Sequence, residues 1–408
     1  MNCGLLGQRL GHSYSPAIHA QLADYHYFLF EKEPDDLENF LKNEDFQGIN
    51  VTIPYKKSVI PYLDELSPVA ERLGAVNTIL RRTDGTLIGH NTDYFGFRSM
   101  VEQSGLIPLG KKALVLGSGG ASNTVVAVLE ELGAQVVVIS RSGENNYTNL
   151  SMHSDAAIIV NTTPVGMYPN VGNSPMNLDL FPHLEGVLDV IYNPARTQLL
   201  LDAERRGLVA MNGLWMLVAQ AKESAEWFTG SPIPNERIAA IHLTLSTQME
   251  NIILIGMPGC GKSTVGRSLA AQLGRKFVDA DAAIEAHDGM TITEIFARKG
   301  ENVFRNIETD VLAELGKQSG FVIATGGGCV TRPENYPLLH QNGKIIWLKR
   351  DITLLPTQGR PLSQAGKLSE MYQIRQPLYQ DFADLTVENS SEPEHTILAI
   401  LKLLEEEL

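Results

Sequence analysis

Cysteine and tryptophan are scarce in this 408-residue chain, at three each, and 33 Lys and Arg face 47 Asp and Glu. Cys3, Cys260 and Cys329 are odd in number, far apart and form no C-x-x-C pair. That argues against a disulfide framework or thiolate metal site and points to a reducing cytoplasm. A formal net charge of −14 argues against nucleic acid or an anionic membrane as partner. Any anionic substrate must therefore be captured by local basic groups. No apolar run approaches the roughly 18 residues of a membrane span, and Met-Asn-Cys-Gly lacks a basic signal-type start. Internal repeats and low-complexity tracts are lacking too. What remains, 43% hydrophobic and 20% charged, is the composition of a globular protein. The length suits two or three domains and leaves a homo-oligomer open.

The most informative stretch is Gly256-Met-Pro-Gly-Cys-Gly-Lys-Ser-Thr264. It matches G-x-x-x-x-G-K-[ST], follows an apolar run from Asn251 to Ile255 that reads as a buried strand, and opens a helical pattern to Leu273. In that context Gly259, Gly261 and the following backbone amides close round phosphates, Lys262 supplies charge, and the hydroxyls of Ser263 and Thr264 lie at the helix start. Ser263 can sit on Mg²⁺. A P-loop follows the first strand of its own domain. The preceding residues must therefore form something separate, with the seam near Thr247–Glu250.

In the first part, Gly11-His-Ser-Tyr-Ser-Pro16 puts Ser13 and Ser15 ahead of a helix opening at Pro16. The pair suits a carboxylate, or an ordinary helix cap. Gly48-Ile-Asn-Val-Thr-Ile-Pro-Tyr-Lys-Lys57 reads as a strand with Asn50 and Thr52 on one face and Lys56 just past its end. Gly74-Ala-Val-Asn-Thr78 and Gly89-His-Asn-Thr-Asp93 each end in small polar groups. Lys112 to Leu116, the turn at Gly117, Gly119, Gly120 and Ala121, a helix to Leu132 and a strand from Gln135 to Ile139 make a βαβ unit of dinucleotide type. After that second strand stands Arg141, where an NAD site places an acidic residue. An arginine there suits a 2′-phosphate, hence NADP(H), or is a solvated surface residue.

As an ordered set, Ser13-x-Ser15, Asn50-Val-Thr52 with Lys56, Ala75-Val-Asn77, Asn91-Thr-Asp93, Gly117-x-Gly-Gly-Ala-Ser122, Asn161-Thr-Thr and Met216-Leu-Val-Ala-Gln220 resemble shikimate dehydrogenase over about residues 2–245. The resemblance implies an α/β fold: a substrate domain over 1–100, completed by about 213–245, and a Rossmann-like NADP domain over 101–212. It implies that Ser13 and Ser15 hold the substrate carboxylate, and that Asn50, Thr52, Asn77, Tyr192 and Gln220 line the substrate site. Lys56 and Asp93 would be the catalytic pair, and Gly213 would lie by the cofactor.

Residues 250–408 resemble shikimate kinase, a P-loop α/β domain with a parallel sheet. The features are Phe277-Val-Asp-Ala-Asp281, Phe304-Arg305 with Glu308, Gly326-Gly-Gly328, Gly359-Arg-Pro-Leu362 and Arg375-Gln-Pro-Leu-Tyr379. By that likeness Asp279 and Ser263 help hold Mg²⁺, and Asp281 orients or deprotonates the substrate hydroxyl. Arg305 and Arg375 clamp a carboxylate beside Gly327 and Gly328, and Arg360 stabilises the transferring phosphoryl group of ATP. The implied substrates are small molecules, 3-dehydroshikimate and then shikimate.

The chain departs from these families in places. Trp215 replaces a glycine near the expected nicotinamide, and the cofactor stretch lacks an Asn and a second base. The segment from Ser142 to Ala156 is short enough to lack an edge strand. The lid before Arg360 is short and carries Pro356 in place of an arginine. Two rival readings stand: one half serves only as a ligand-sensing module, or the first half is a quinate-type NAD dehydrogenase. Ser13, Ser15 and Arg141 argue against the latter. Finally, Cys260 at a helix N-terminus beside Lys262, with Cys329 near the same site, leads us to expect reactive thiols if their sulfurs are accessible.

Overall fold

A computed structural model of the chain describes residues 1–11, 13–355, 365–389 and 392–406. The chain divides into two compact units. One holds Met1–Val165, Ser174–Tyr192 and Asp202–Thr244; the other holds Gly166–Asn173, Asn193–Leu201 and the chain from Leu245 onward.

The first unit contains two sheets. Strands β1 (Asn2–Gly7), β2 (His26–Glu31), β3 (Gly48–Val51), β4 (Glu65–Leu66), β5 (Thr78–Arg81) and β6 (Leu87–His90) form a mixed sheet in the order β2-β1-β3-β5-β6-β4. β5 runs antiparallel to both β3 and β6. That register sets Asn50 opposite Thr78, and Thr78 opposite His90. β7 (Lys112–Leu116), β8 (Gln135–Ile139), β9 (Ile158–Asn161), β10 (Gly186–Asp189) and β11 (Val209–Met211) form a parallel sheet in the order β11-β10-β9-β7-β8. Ala113 to Leu116 are wholly buried, as a strand covered by helices on both faces requires. β8 is the sheet edge, and only the short turn Leu150–His153 stands between it and β9. The expected loss of an edge strand is therefore met. Its place is taken by a polar loop in which Ser140 N bonds Asn145 O and Asn146 N bonds Asn149 Oδ1. Two helices, Asp93–Ser104 and Leu214–Thr229, pack side by side. A Cβ on Gly96 would meet the Met216 carbonyl at 2.8 Å, so glycine sets their close approach.

The second unit is a parallel sheet of β12 (Asn251–Ile255), β13 (Lys276–Asp279), β14 (Phe321–Ala324), β15 (Gly343–Lys349) and β16 (Leu385–Glu388), ordered β13-β14-β12-β15-β16. The apolar run before the P-loop is its central strand, with Ile253, Leu254 and Ile255 fully buried. The helix Lys262–Leu273 follows directly, so the loop sits at the carboxyl ends of the strands, where such sheets bind ligands.

Candidate active sites

In the first unit the chemistry gathers at the end of β3 and the start of the Asp93–Ser104 helix. Lys56 Nζ lies 2.5 Å from Asp93 Oδ2, with the lysine side chain 32% exposed and the aspartate 14%. The ammonium thus reaches solvent space while the carboxylate is held from behind. Asn77 Nδ2 donates to Asp93 Oδ1 at 2.9 Å, and its own oxygen accepts from Thr92 N at 2.7 Å. Asn77 is 3% exposed and saturated by these partners, so its clearest role is to aim Asp93.

Asn50 is similarly engaged. Its Oδ1 accepts from Tyr27 Oη at 2.8 Å, and its Nδ2 donates to Ser224 at 2.7 Å. Burial pushes the Tyr27 hydroxyl well up, which keeps it a neutral donor. Ser13 Oγ accepts from Ser15 N at 3.2 Å, and the Tyr14 ring between them meets Tyr192 edge-on, centroids 6.0 Å apart. Thr52 is half-buried just past β3. Gln220 Nε2 bonds the Leu217 carbonyl at 2.8 Å, while its Oε1 accepts weakly from Thr92 at 3.4 Å. Of the residues expected from sequence, Lys56, Asp93, Asn77, Asn50 and Gln220 are joined in one bonded network. Tyr27, Thr92 and Ser224 belong to it and were missed as site residues. Tyr27 lies on an edge strand and Ser224 in mid-helix, where neither carries a local signal.

The glycine turn after β7 fits a dinucleotide. Gly117 has φ +105°, and a Cβ there would lie 2.9 Å from Thr162 Oγ1. Around Gly119 and Gly120 nothing lies within 4 Å of a Cβ position, which leaves space for a pyrophosphate. No side chain caps the helix Gly120–Glu131, whose first turn holds Ala121, so its amides are available to an anion. Arg141 is exposed immediately past β8. Gly213 caps the Leu214–Thr229 helix, and a Cβ on it would collide with the Val190 carbonyl at 2.1 Å. The unusual Trp215 donates from Nε1 to Ser99 Oγ at 2.9 Å and packs against His242, so its indole is engaged by the protein.

In the second unit a cavity of about 480 Å³ opens over the P-loop, with Lys262, Asp281, Arg305, Glu308, Gly327 and Arg375 among its lining residues. Gly259, Gly261, Ser263, Thr264 and Gly328 line it as well. Lys262 Nζ donates to the carbonyls of Gly256 and Met257 at 2.8 and 3.1 Å, which holds its charge over the loop. Ser263 Oγ donates to Asp279 Oδ2 at 2.6 Å, and Asp279 Oδ1 accepts from Asp281 N at 3.0 Å. No cluster of three or more acidic, His or Cys ligands stands among the described residues. A hydroxyl with one nearby carboxylate fits Mg²⁺ that keeps most ligands from water and phosphate.

Arg305 Nη1 pairs with Glu308 Oε2 at 2.6 Å, both nearly buried, and Arg375 Nη1 donates to Gly327 O at 2.9 Å. Burial raises the Glu308 carboxyl, opposed by Arg305. Two guanidinium groups lining one cavity beside a phosphate loop can clamp an anion. Phe296, Phe304 and Met371 complete the cavity with apolar surface. Sequence reading missed Phe296 and Met371, whose helical spacing looks like ordinary core. Arg360 lies outside the described residues, as do His12 and Pro356. The thiol expectation fails: Cys260 and Cys329 are both 0% exposed, and burial pushes the Cys329 thiol up to about 12.

Residues 5–79 match the shikimate dehydrogenase substrate binding domain, and residues 258–405 match shikimate kinase. A Clostridium perfringens protein named shikimate dehydrogenase (NADP(+)) is 37% identical over 249 residues, covering 56% of this chain and 92% of that protein. The chloroplastic bifunctional 3-dehydroquinate dehydratase/shikimate dehydrogenase of Arabidopsis thaliana is 36% identical over 268 residues. That match takes in 57% of this chain and 44% of the Arabidopsis protein, so the chain spans under half of that relative. Among solved structures, shikimate dehydrogenase 1 from Peptoclostridium difficile superposes with a TM-score of 0.56 at 38% identity, covering 60% of this chain and 97% of its own.

Proposed function

From the premise that this chain belongs to the shikimate dehydrogenase family and carries a shikimate kinase domain after it, we propose a bifunctional enzyme of consecutive steps. It reduces 3-dehydroshikimate to shikimate with NADPH, then phosphorylates the 3-hydroxyl of shikimate with ATP. What supports this reading is that each unit gathers its own chemistry-bearing side chains: the Lys56–Asp93 ion pair at 2.5 Å in one, and the P-loop cavity lined by Asp281, Arg305 and Arg375 in the other. We read the working domains as 1–100 with 213–245, 101–212, and 250–408. No described helix is long and apolar enough to cross a membrane, and with three buried free cysteines the reducing cytoplasm is the setting that fits.

In the first step Gly117, Gly119, Gly120 and Ala121 would hold NADPH, with Arg141 to meet its 2′-phosphate and Gly213 near it, and the cofactor would supply a hydride. The chain's own residues handle the proton. As negative charge develops on the ring oxygen, the Lys56 ammonium neutralises it and delivers a proton, while Asp93 keeps the ammonium aimed. Ser13 and Ser15 hold the substrate carboxylate, and Thr52, Tyr192 and Gln220 bound the ring. Asn50 and Asn77 act from the network behind them.

In the second step Arg305 and Arg375 hold the carboxylate, and Asp281 orients the 3-hydroxyl and takes its proton. Lys262 and the loop amides stabilise charge on the transferring phosphoryl group, and Ser263 and Asp279 would help hold Mg²⁺, which would add to that charge stabilisation. The products are shikimate 3-phosphate and ADP.

The test is one coupled reaction of the purified chain with 3-dehydroshikimate, NADPH and ATP. Shikimate should rise and then give way to shikimate 3-phosphate. An NADPH trace that stays flat, or shikimate that accumulates without phosphorylation, removes the corresponding half of the reading. Oxidation of quinate with NAD, run beside oxidation of shikimate with NADP, decides against the quinate-type rival if the shikimate reaction is faster.

A further inference from the structure

Ser224 belongs to no motif, yet it lies one turn beyond Gln220 on the Leu214–Thr229 helix and is wholly buried. Asn50 Nδ2 donates to its hydroxyl at 2.7 Å, the Thr78 and Thr92 hydroxyls stand at 2.9 and 3.0 Å, and the Gln220 carbonyl lies at 3.0 Å. One hydroxyl donates once and accepts twice. Four partners therefore cannot all be served at once, and the hydroxyls of the junction must orient in concert.

The bonds continue outward from this junction. Thr78 and Thr92 donate to Asn77 Oδ1 at 3.1 and 3.2 Å, and Asn77 Nδ2 reaches Asp93 Oδ1, whose other oxygen holds Lys56. On the other side, Tyr27 occupies the far end of the Asn50 amide, so that amide is held from both ends. Asn50 lies on β3, Thr78 begins β5 and Thr92 precedes the Asp93–Ser104 helix. The three elements meet the long helix at this single oxygen.

We propose that Ser224 is a positioning residue of the reductase site. Through its hydroxyl, the Leu214–Thr229 helix holds Asn50, Thr78 and Thr92, and through Asn77 fixes the Asp93 carboxylate against Lys56. The inference rests on reading that site as the reductase. Removing the hydroxyl leaves Asn50 and the threonines to re-pair among themselves, with Asp93 and Lys56 released from their setting. A shift of a fraction of an ångström at a proton donor is enough to slow the reaction severalfold to a hundredfold.

The experiment compares the full-length chain with Ser224→Ala, Asn50→Ala and the double variant. For Ser224→Ala, kcat for 3-dehydroshikimate reduction should fall by about tenfold, with the KM for NADPH within about twofold of wild type. Phosphorylation of supplied shikimate serves as the internal measure of active chain and should not change. Because both side chains act through one junction, the double variant should lose less than the product of the single losses. An unchanged kcat in Ser224→Ala overturns the assignment. So do losses that multiply, or a KM for NADPH and a melting temperature that worsen in step with kcat, since those mark a side chain that only supports the fold. A wild-type chain that does not reduce 3-dehydroshikimate at all overturns the reductase reading, and this assignment with it.

Discussion

At the scale of single residues, the sharpest test lies at Gly328. A Cβ there would sit 2.2 Å from Arg305 Nη2 and 2.3 Å from Nη1. The obstacle is the tip of a flexible side chain, so Gly328→Ala should fold but push the guanidinium out of the cavity. We expect the kinase KM for shikimate to rise by about tenfold or more, as for loss of a charge-assisted carboxylate contact, with KM for ATP little changed. Equal rises in both constants would show that the loop itself has moved. Cys260 offers a second test. Fully buried sulfurs should make a thiol alkylating agent slow on the folded chain, with kinase and reductase lost at similar rates and no protection by MgATP. Rapid, nucleotide-protected loss of the kinase alone would show that Cys260 opens to solvent. The motif placed Cys260 correctly beside Lys262, but exposure depends on what packs over a loop, and local sequence does not carry that.

At the scale of elements, the helix Ser15–Leu22 packs on β2 through His19, whose ring stacks on Tyr27 at 4.0 Å and bonds the Tyr25 hydroxyl at 2.6 Å. Burial pushes the His19 pKa from 6.5 down to about 3. The folded state therefore keeps His19 neutral where the unfolded chain takes up a proton. Its contribution to stability is complete above pH 6.5 and is lost as pH falls from there towards 3. The loss is at most about 1.4 kcal/mol per pH unit. Denaturant unfolding of the first unit at pH 7 and pH 5 should show this, and His19→Gln should flatten the difference. A pH dependence identical in the variant would place the titration elsewhere. Strands and helices themselves were largely legible. The run Asn251–Ile255 is β12 to the residue, and Lys112–Leu116 is β7. Buried parallel strands announce themselves as unbroken apolar runs, because both faces are covered. β2 was not read from sequence: it is an edge strand, its residues half exposed, with no such pattern.

At the scale of the whole molecule, the two sites share no residue, so each activity should fail alone. Lys56→Ala or Asp93→Asn should cut reduction by a hundredfold or more, roughly the worth of a general acid, and leave phosphorylation of supplied shikimate intact. Lys262→Ala should do the converse. Measured on one preparation, loss of both activities in a correctly folded single variant would sink the picture of two independent sites. Spatial grouping is less simple than chain order. The segments Gly166–Asn173 and Asn193–Leu201, read in sequence as part of 101–212, group with the second unit. There Ala195 N bonds Asn342 Oδ1 at 2.7 Å, and Arg196 bonds the backbone of His340 and Gln341.

By itself the sequence determined the chemistry that sits within a few residues: the P-loop, the glycine turn after β7, and the side chains Lys56, Asp93, Arg305 and Arg375. Such motifs are local because phosphate binding needs consecutive backbone amides at the start of a helix, and a strand end projects residues at fixed spacing. Only the tertiary structure decided which of them touch. The Ser224 junction joins positions 50, 78, 92 and 224. The cavity wall draws on five separate helices and two glycine loops, and Cys260 is closed off by packing. Each of these depends on how helices and sheets settle against one another to bury their apolar faces and pair their polar groups, and that arrangement leaves no mark in any short stretch of chain.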